Sequence, residues 1–310
     1  MTLEARLLDP MLDHLGLVEL YETVFGHSVT PDMWYWKYVP PWAQRHYCYV
    51  GRIDGQVIGY FGAVPLRGMK DGKEIPYFQL ADFMVHPEHR LKHDYFGIGS
   101  EKILGDIAES HADHLVYGFS GHKAFRFLER FGLGGLIEKP QTHYLRMADA
   151  PKDSEFEFVP WEWNSSLIDT VWDLHRPNVK AGLIRDKAYI FWRYGSHPIN
   201  GYRLLGVCQG GEPIGYLVAG SDRPGEHGRA KETPVVDALL PEASATRVLH
   251  ELAGHCGNDV MFWLPHRMIA GVEEKKDSGT HCYHYKASSA LSTEYLVDHL
   301  YYTMGDVDWW

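Results

Sequence analysis

Cysteine is scarce: Cys48, Cys208, Cys256 and Cys282 are the only four in 310 residues. They are too few and too scattered for a disulfide framework, which points to a reducing compartment. No stretch approaches the ~18 consecutive apolar residues of a membrane span, and Met1 to Pro10 lacks the apolar core flanked by basic residues of a secretory leader. Both absences lead to the expectation of a cytoplasmic protein with no membrane partner. Basic charge is also short, 30 Lys plus Arg against 41 Asp plus Glu for a net −11, which argues against a broad nucleic-acid-binding face. What is present is an ordinary globular composition, 45% apolar and 23% charged, on a chain long enough for two modest domains.

The chain repeats itself. Trp36-Lys37-Tyr38 recurs as Trp192-Arg193-Tyr194, and Gly55, Ile58, Gly59 and Tyr60 recur as Gly211, Ile214, Gly215 and Tyr216, both at an offset of 156. Ala81 to Val85 then aligns with Val236 to Leu240 at an offset of 155, placing Asp82 opposite Asp237. Matches that share one register identify two copies of one fold. The polar, proline-containing stretch Ala148 to Glu155 divides residues 1–149 from residues 150–310.

Periodicity in the first copy predicts a helix with Leu17, Leu20, Tyr21, Val24 and Phe25 on one face. A second helix opens at Pro31 with Thr30 as its N-cap. Tyr47 to Arg52 and Val57 to Pro65 read as strands joined by an Asp54-Gly55 turn, and Tyr77 to Val85 reads as a third. A helix after Gly99, a strand over Leu115 to Phe119, a helix through Ala124 to Phe131 and a closing strand over His143 to Met147 complete an ααβββαβαβ order. The expected class is α/β, as an α+β mixed sheet with helices.

Phe96-Gly97-Ile98-Gly99-Ser100 lies between a strand and an amphipathic helix, where backbone N–H groups and a helix N-terminus favour a phosphate. Lys102 replaces the third glycine of a dinucleotide fingerprint, and no Gly-Lys-Ser/Thr of a P-loop is present. Val85-x-Pro87-x-x-Arg90, Gly97-x-Gly99, the strand over residues 115–119, Ala124 and Arg130-Phe131-Gly132 together resemble the GNAT acyltransferase superfamily. The tandem arrangement is similar to that of nucleotide-amino-sugar N-acyltransferases of bacterial surface polysaccharide pathways. Leu91 to Phe96 lengthens the family's loop, Gly121 stands for its asparagine, and Leu128 for the tyrosine that often serves as general acid.

The resemblance implies two tandem GNAT-like domains with acyl-CoA (acetyl-CoA or longer) as cosubstrate, held only by the first. It assigns Met84, Val85, Arg90, Phe96, Gly97, Ile98, Gly99, Ser100, Gly121, Lys123 and Phe127 to the cosubstrate. Met84 and Val85 would act through their backbone groups on the pantetheine and the thioester oxygen. The second copy has no glycine segment after Leu240-Pro241 and would supply acceptor walls and stability.

Asp82 is the carboxylate best placed to take the amine's proton, the alternative being a pair within the sheet. Ser120 and His122, directly after the next strand, are candidates to line the same cleft, with Ser120 a catalytic candidate and an ordinary loop position the alternative for each. Trp34, Asp237, Asp306 and Asp308 are the candidate acceptor contacts, although the helical spacing of Trp34 and Tyr38 also suits core packing. The aromatic ending Tyr301 to Trp310 suggests docking of the terminus. The histidines form no paired metal-ligand motif, so no metal is expected. No cysteine lies near the glycine segment, which favours direct attack by a primary amine in a ternary complex. A nucleotide-linked amino sugar is the expected acceptor, with Arg185, Lys187 and Arg193 as diphosphate donors. Peptide lysines, aminoglycosides, polyamines and a non-catalytic acyl-CoA-binding module are the alternatives, and a homodimer stays open.

Overall fold

The computed structural model describes residues 4–90, 95–130, 132–225, 231–269 and 271–307. Two compact units interleave along the chain: residues 1–67, 75–118 and 284–292 form the first, and 68–74, 119–283 and 293–310 the second. They do not part at residues 148–155, because each takes in a strand from the other half of the sequence. Residues 141–145 belong to the second unit and 284–289 to the first.

In the first unit, β1 (Glu4–Leu7), β2 (Tyr47–Ile53), β3 (Gln56–Lys70), β4 (Lys73–Val85) and β5 (Leu115–Gly121) follow one another in a sheet. β1, β2 and β3 are antiparallel, whereas β4 runs parallel to β5. The late strand that begins at Thr280 lies next, and Ala290 N–H donates to the His114 carbonyl (2.9 Å). Asp54 and Gly55 take φ of 47° and 87°, the left-handed pair that a two-residue hairpin requires. Asp71-Gly72 repeats the device at 47° and 82° and carries β3 beyond Pro65, where the sequence reading ended it.

Three helices complete this unit: α1 (His14–Phe25), α2 (Pro31–Tyr38) and α3 (Tyr95–Ser110). Thr30 Oγ1 accepts the Met33 N–H (3.2 Å) and Pro31 opens α2, as the cap predicts. α1 buries Leu17, Leu20 and Tyr21, and α3 buries Ile103 and Ile107.

The second unit contains α4 (His122–Arg130), β6 (Gly134–Glu138), β7 (Gln141–Leu145), β8 (Glu157–Pro160), α5 (Leu167–His175), β9 (Ala181–Leu183) and α6 (Lys187–Ile190). β10 (Arg203–Gln209), β11 (Glu212–Ala219), β12 (Glu232–Leu239), α7 (Ala245–Cys256), β13 (Asp259–Phe262) and β14 (Lys275–Asp277) follow, then β15 (Thr280–Ser289), whose residues from 284 on belong to the first unit, α8 (Thr293–His299) and β16 (Leu300–Tyr301). Its seven-stranded sheet has the order β14-β7-β13-β12-β11-β10-β8. β7, read from sequence as the closing strand of the first copy, instead pairs antiparallel with β13 and β14. Val207, Leu217, Val248, Leu252, Val260 and Phe262 form its apolar centre. The architecture is a mixed α/β fold with two units built on related hairpin-and-parallel-strand frameworks.

Among the described residues, no helix is long and apolar enough to cross a membrane.

Candidate active site

The second half of β4 departs from regular strand geometry. Pairing with β5 runs from Tyr77↔Leu115 to Leu80↔Gly118 and then stops. Two residues later Asp82 has φ of 53°, a left-handed conformation that most side chains avoid and aspartate tolerates. The other edge stays tied to β3, since His86 N–H donates to the Ile58 carbonyl (2.8 Å). The kink therefore frees one edge of the strand ahead of Met84 and Val85.

Three donors hold the kinked residue. Tyr21 of α1 and Tyr38 of α2 donate their hydroxyls to Asp82 Oδ2 at 2.5 and 2.6 Å, and Lys37 Nζ donates to the same oxygen at 2.7 Å. The Asp82 and Lys37 side chains are 15% and 13% exposed. Burial opposes ionisation of Asp82, but the adjacent ammonium and the hydrogen bonds outweigh it and hold the carboxyl below its ordinary range. The Tyr21 and Tyr38 phenols are pushed upward by burial and by the Asp82 charge, so both remain donors. Asp82 is thus an acceptor charged at neutral pH and of low basicity. All three bonds converge on Oδ2, which leaves Oδ1 for another donor.

Trp34, expected as an acceptor contact, is instead core: it is 4% exposed and its Nε1 donates to Tyr60 Oη (2.9 Å). Tyr60 in turn donates to Cys48 Sγ (3.2 Å), and burial raises the Cys48 thiol pKa, which removes it as a nucleophile at neutral pH. Leu128, at the position of the family's tyrosine, is buried.

Downstream of the kink, Met84 is buried and the Val85 carbonyl accepts Arg90 Nε (3.0 Å). Gly97 to Ser100, read as a loop, lie in the first turns of α3, and Ser100 Oγ donates to the Gly97 carbonyl (3.1 Å). Residues 91–94 lie outside the described residues, and of Phe96 and Ile98 only the backbone is described. A Cβ on Gly99 would collide with the Phe61 ring, so this glycine lets α3 approach β3. The opening turn of α3 lies at the positive end of the helix dipole, a geometry suited to phosphate.

The remaining candidates belong to the second unit. Ser120 Oγ is buried without a partner among the described residues. A Cβ on Gly121 would meet nothing within 4 Å, and Lys123 and Phe127 lie on the exposed face of α4. The His122 ring lies 5.4 Å from that of His281.

Asp237 and Asp306 are corrected from acceptor contacts to core ions. Fully buried Arg185 donates Nε to Asp237 Oδ1 (2.9 Å) and Nη2 to Asp306 Oδ2 (2.5 Å), and Tyr194 donates to Asp237 Oδ2 (2.7 Å). Arg193 donates to the Gly305 and Val307 carbonyls at 3.1 and 2.7 Å. Arg185 and Arg193 are therefore committed inside the unit and are not free donors for a diphosphate. They dock residues 301–307, all of them buried, and Asp308 lies outside the described residues. No three His, Cys, Asp or Glu side chains gather to hold a metal ion among the described residues.

Sequence reasoning missed Tyr21, Lys37 and Tyr38. The signal lay in the repeat, which places Tyr38 at 44 positions before Asp82 and Tyr194 at 43 positions before Asp237.

Residues 12–134 match the family model described as Acetyltransferase (GNAT) domain. Over that stretch the chain is similar to a GNAT acetyltransferase domain. Similar solved structures include a GCN5-related N-acetyltransferase from Anabaena variabilis, at 12% identity and TM-score 0.69, covering 91% of this chain and 72% of that one. One from Kribbella flavida has 12% identity and TM-score 0.63, covering 92% and 70%. A conserved protein of unknown function from Enterococcus faecalis has 14% identity and TM-score 0.66, covering 92% and 72%. At these identities the likeness is one of fold. No curated protein matches the sequence.

Proposed function

We propose that the chain is an acyl-CoA-dependent N-acyltransferase whose GNAT domain transfers an acyl group to a primary amine. The observation that carries this reading is the kink at Asp82, which ends the β4–β5 ladder and frees strand edge ahead of Met84 and Val85. Freed backbone N–H groups there suit a thioester oxygen, by preorganised electrostatics. The opening turn of α3, over Gly97 to Ser100, suits the phosphates of the cosubstrate.

The amine nitrogen attacks the thioester carbonyl carbon, the C–N bond forms, the C–S bond breaks, and CoA leaves as a thiolate. A thiol pKa near ~8.5 makes this departure feasible without the general acid whose place Leu128 occupies. Asp82 Oδ1 is assigned to the acceptor nitrogen, orienting it and taking its proton toward water once bond formation has made that nitrogen acidic. A carboxylate held ionised by Lys37 is too weak a base to deprotonate a free ammonium at neutral pH. The reactive free amine is therefore drawn from solution, and kcat/KM rises with pH toward the acceptor's own pKa.

The acceptor class we favour is a cationic primary amine, drawn to a chain of net charge −11. Thiol release from acetyl-CoA, measured with polyamines, aminoglycosides, lysine peptides and nucleotide amino sugars, tests the reading. Amine-dependent release with no stable acylated protein is expected. Absence of release across the panel, or an acyl-enzyme formed without amine, overturns it.

A further inference from the structure

The second unit contains a cavity of about 390 Å³ whose walls include Ile214, Leu239, Leu240, Met268 and Tyr301. This lies within the ~300–1,000 Å³ range of small-molecule sites. Its position follows from the repeat. Ile214 is the counterpart of Ile58, and Leu239 and Leu240 are the counterparts of Met84 and Val85. The parallel β12–β13 pairing stops at Val235↔Phe262, as β4–β5 pairing stops at Leu80, and beyond it the Ala238 carbonyl accepts the hydroxyl of Tyr301, a residue of the cavity wall.

The polar features of the cavity differ from those of the first unit. α7 begins at Ala245 without a glycine segment before it. The cavity wall instead carries two charged side chains, the carboxylate of Glu242 and the exposed cation Arg267, whose Nη2 donates to the His299 carbonyl (2.9 Å). Among the described residues Arg267 has no carboxylate within ion-pair distance, and Glu138 and Glu242 attract it only from farther away. An unpaired guanidinium beside an apolar chamber calls for a ligand with an apolar body and one anionic head.

We propose that this cavity binds a medium-chain carboxylate, with the hydrocarbon against Leu239, Leu240 and Met268 and the carboxylate on Arg267. The proposal is independent of the acyl-transfer reading, because every residue it uses lies in the second unit.

Calorimetric titration of the full chain with octanoate and decanoate, each below its micellar concentration, tests it. Decanoate is expected to bind about 15-fold more tightly than octanoate, the value for two buried methylenes at about fourfold each. Decyltrimethylammonium is expected to bind at least about tenfold more weakly than decanoate, as a head-group ion pair requires. Arg267→Gln should erase the preference for decanoate over decanol. Ala243→Trp should block binding by filling the cavity from an exposed position that leaves the fold, checked by circular dichroism, unchanged. No binding of decanoate in the millimolar range, binding that survives both substitutions, or equal binding of the cationic amphiphile overturns the proposal.

Discussion

Asp82 and Asp237 stand at equivalent places in the two copies, and each receives a tyrosine hydroxyl from its own repeat, Tyr38 at 2.6 Å and Tyr194 at 2.7 Å. Beyond that shared pair the surroundings diverge. Asp82 has left-handed backbone, a lysine partner and residual exposure. Asp237 is absent from the left-handed set and fully buried, and Arg185 bridges it to Asp306. One inherited Tyr–Asp contact thus serves two ends. A kink with a spare carboxylate oxygen suits chemistry, whereas a closed ion network locks a terminus into the core. The third partner, Lys37 or Arg185, decides which.

Removing that partner in the second unit should have the largest effect. Arg185→Met leaves Asp237 and Asp306 buried without their cation, and breaking a buried ion network by one member costs about 3–5 kcal/mol. Urea unfolding should show the second unit losing its cooperative transition or shifting far downward. A shift no larger than that of Asp82→Asn would erase the distinction drawn between the two centres.

Asp82→Asn keeps a side chain that tolerates positive φ but loses the charge. Turnover should fall about 30-fold or more, within the range for a proton-handling group, with CoA affinity held within about twofold. Lost thermal stability at unchanged turnover would assign Asp82 to structure alone.

Gly99→Ala ranks next. Its methyl meets the Phe61 ring, so α3 must shift, at about 1–3 kcal/mol for an overpacked contact. Relief in the Gly99→Ala, Phe61→Leu double variant, read from melting temperatures, would confirm the contact as the cause.

The smallest effect is on pH dependence, and the two centres differ in sign. The folded pKa of Asp82 is depressed, so its contribution is present above the unfolded value near ~3.9 and is lost as pH falls through the folded value. Burial, outweighing the pull of Arg185, raises the folded pKa of Asp306. Its contribution is therefore greatest below the unfolded value and declines as pH rises through the folded one. Stability measured from pH 2 to 7 should change slope oppositely in Asp82→Asn and Asp306→Asn.

Much of this contrast was legible in sequence, because local chemistry announces it. Asp54-Gly55 and the Thr30 cap mark real element ends, and the repeat finds both aspartates. What escaped depends on long-range packing. Lys37 and Asp82 meet across 45 positions, and no local pattern reports such a meeting. Glycines are poor helix formers, so Gly97 to Ser100 reads as loop until Phe61 is seen to require Gly99. Arg185 and Asp306 read as exposed recognition groups because charge is ordinarily at the surface. His143 to Met147 follows the first copy in sequence and pairs in the second unit's sheet, which only strand register reveals.

The central claim is that the first unit holds acyl-CoA and the second does not. Titration of the full chain with CoA, repeated on Gly97→Asp, tests it most directly, because that substitution places negative charge in the opening turn of α3. One site per chain, weakened at least about tenfold by Gly97→Asp, is the predicted result. Two equivalent sites, or a single site indifferent to Gly97→Asp, would contradict it.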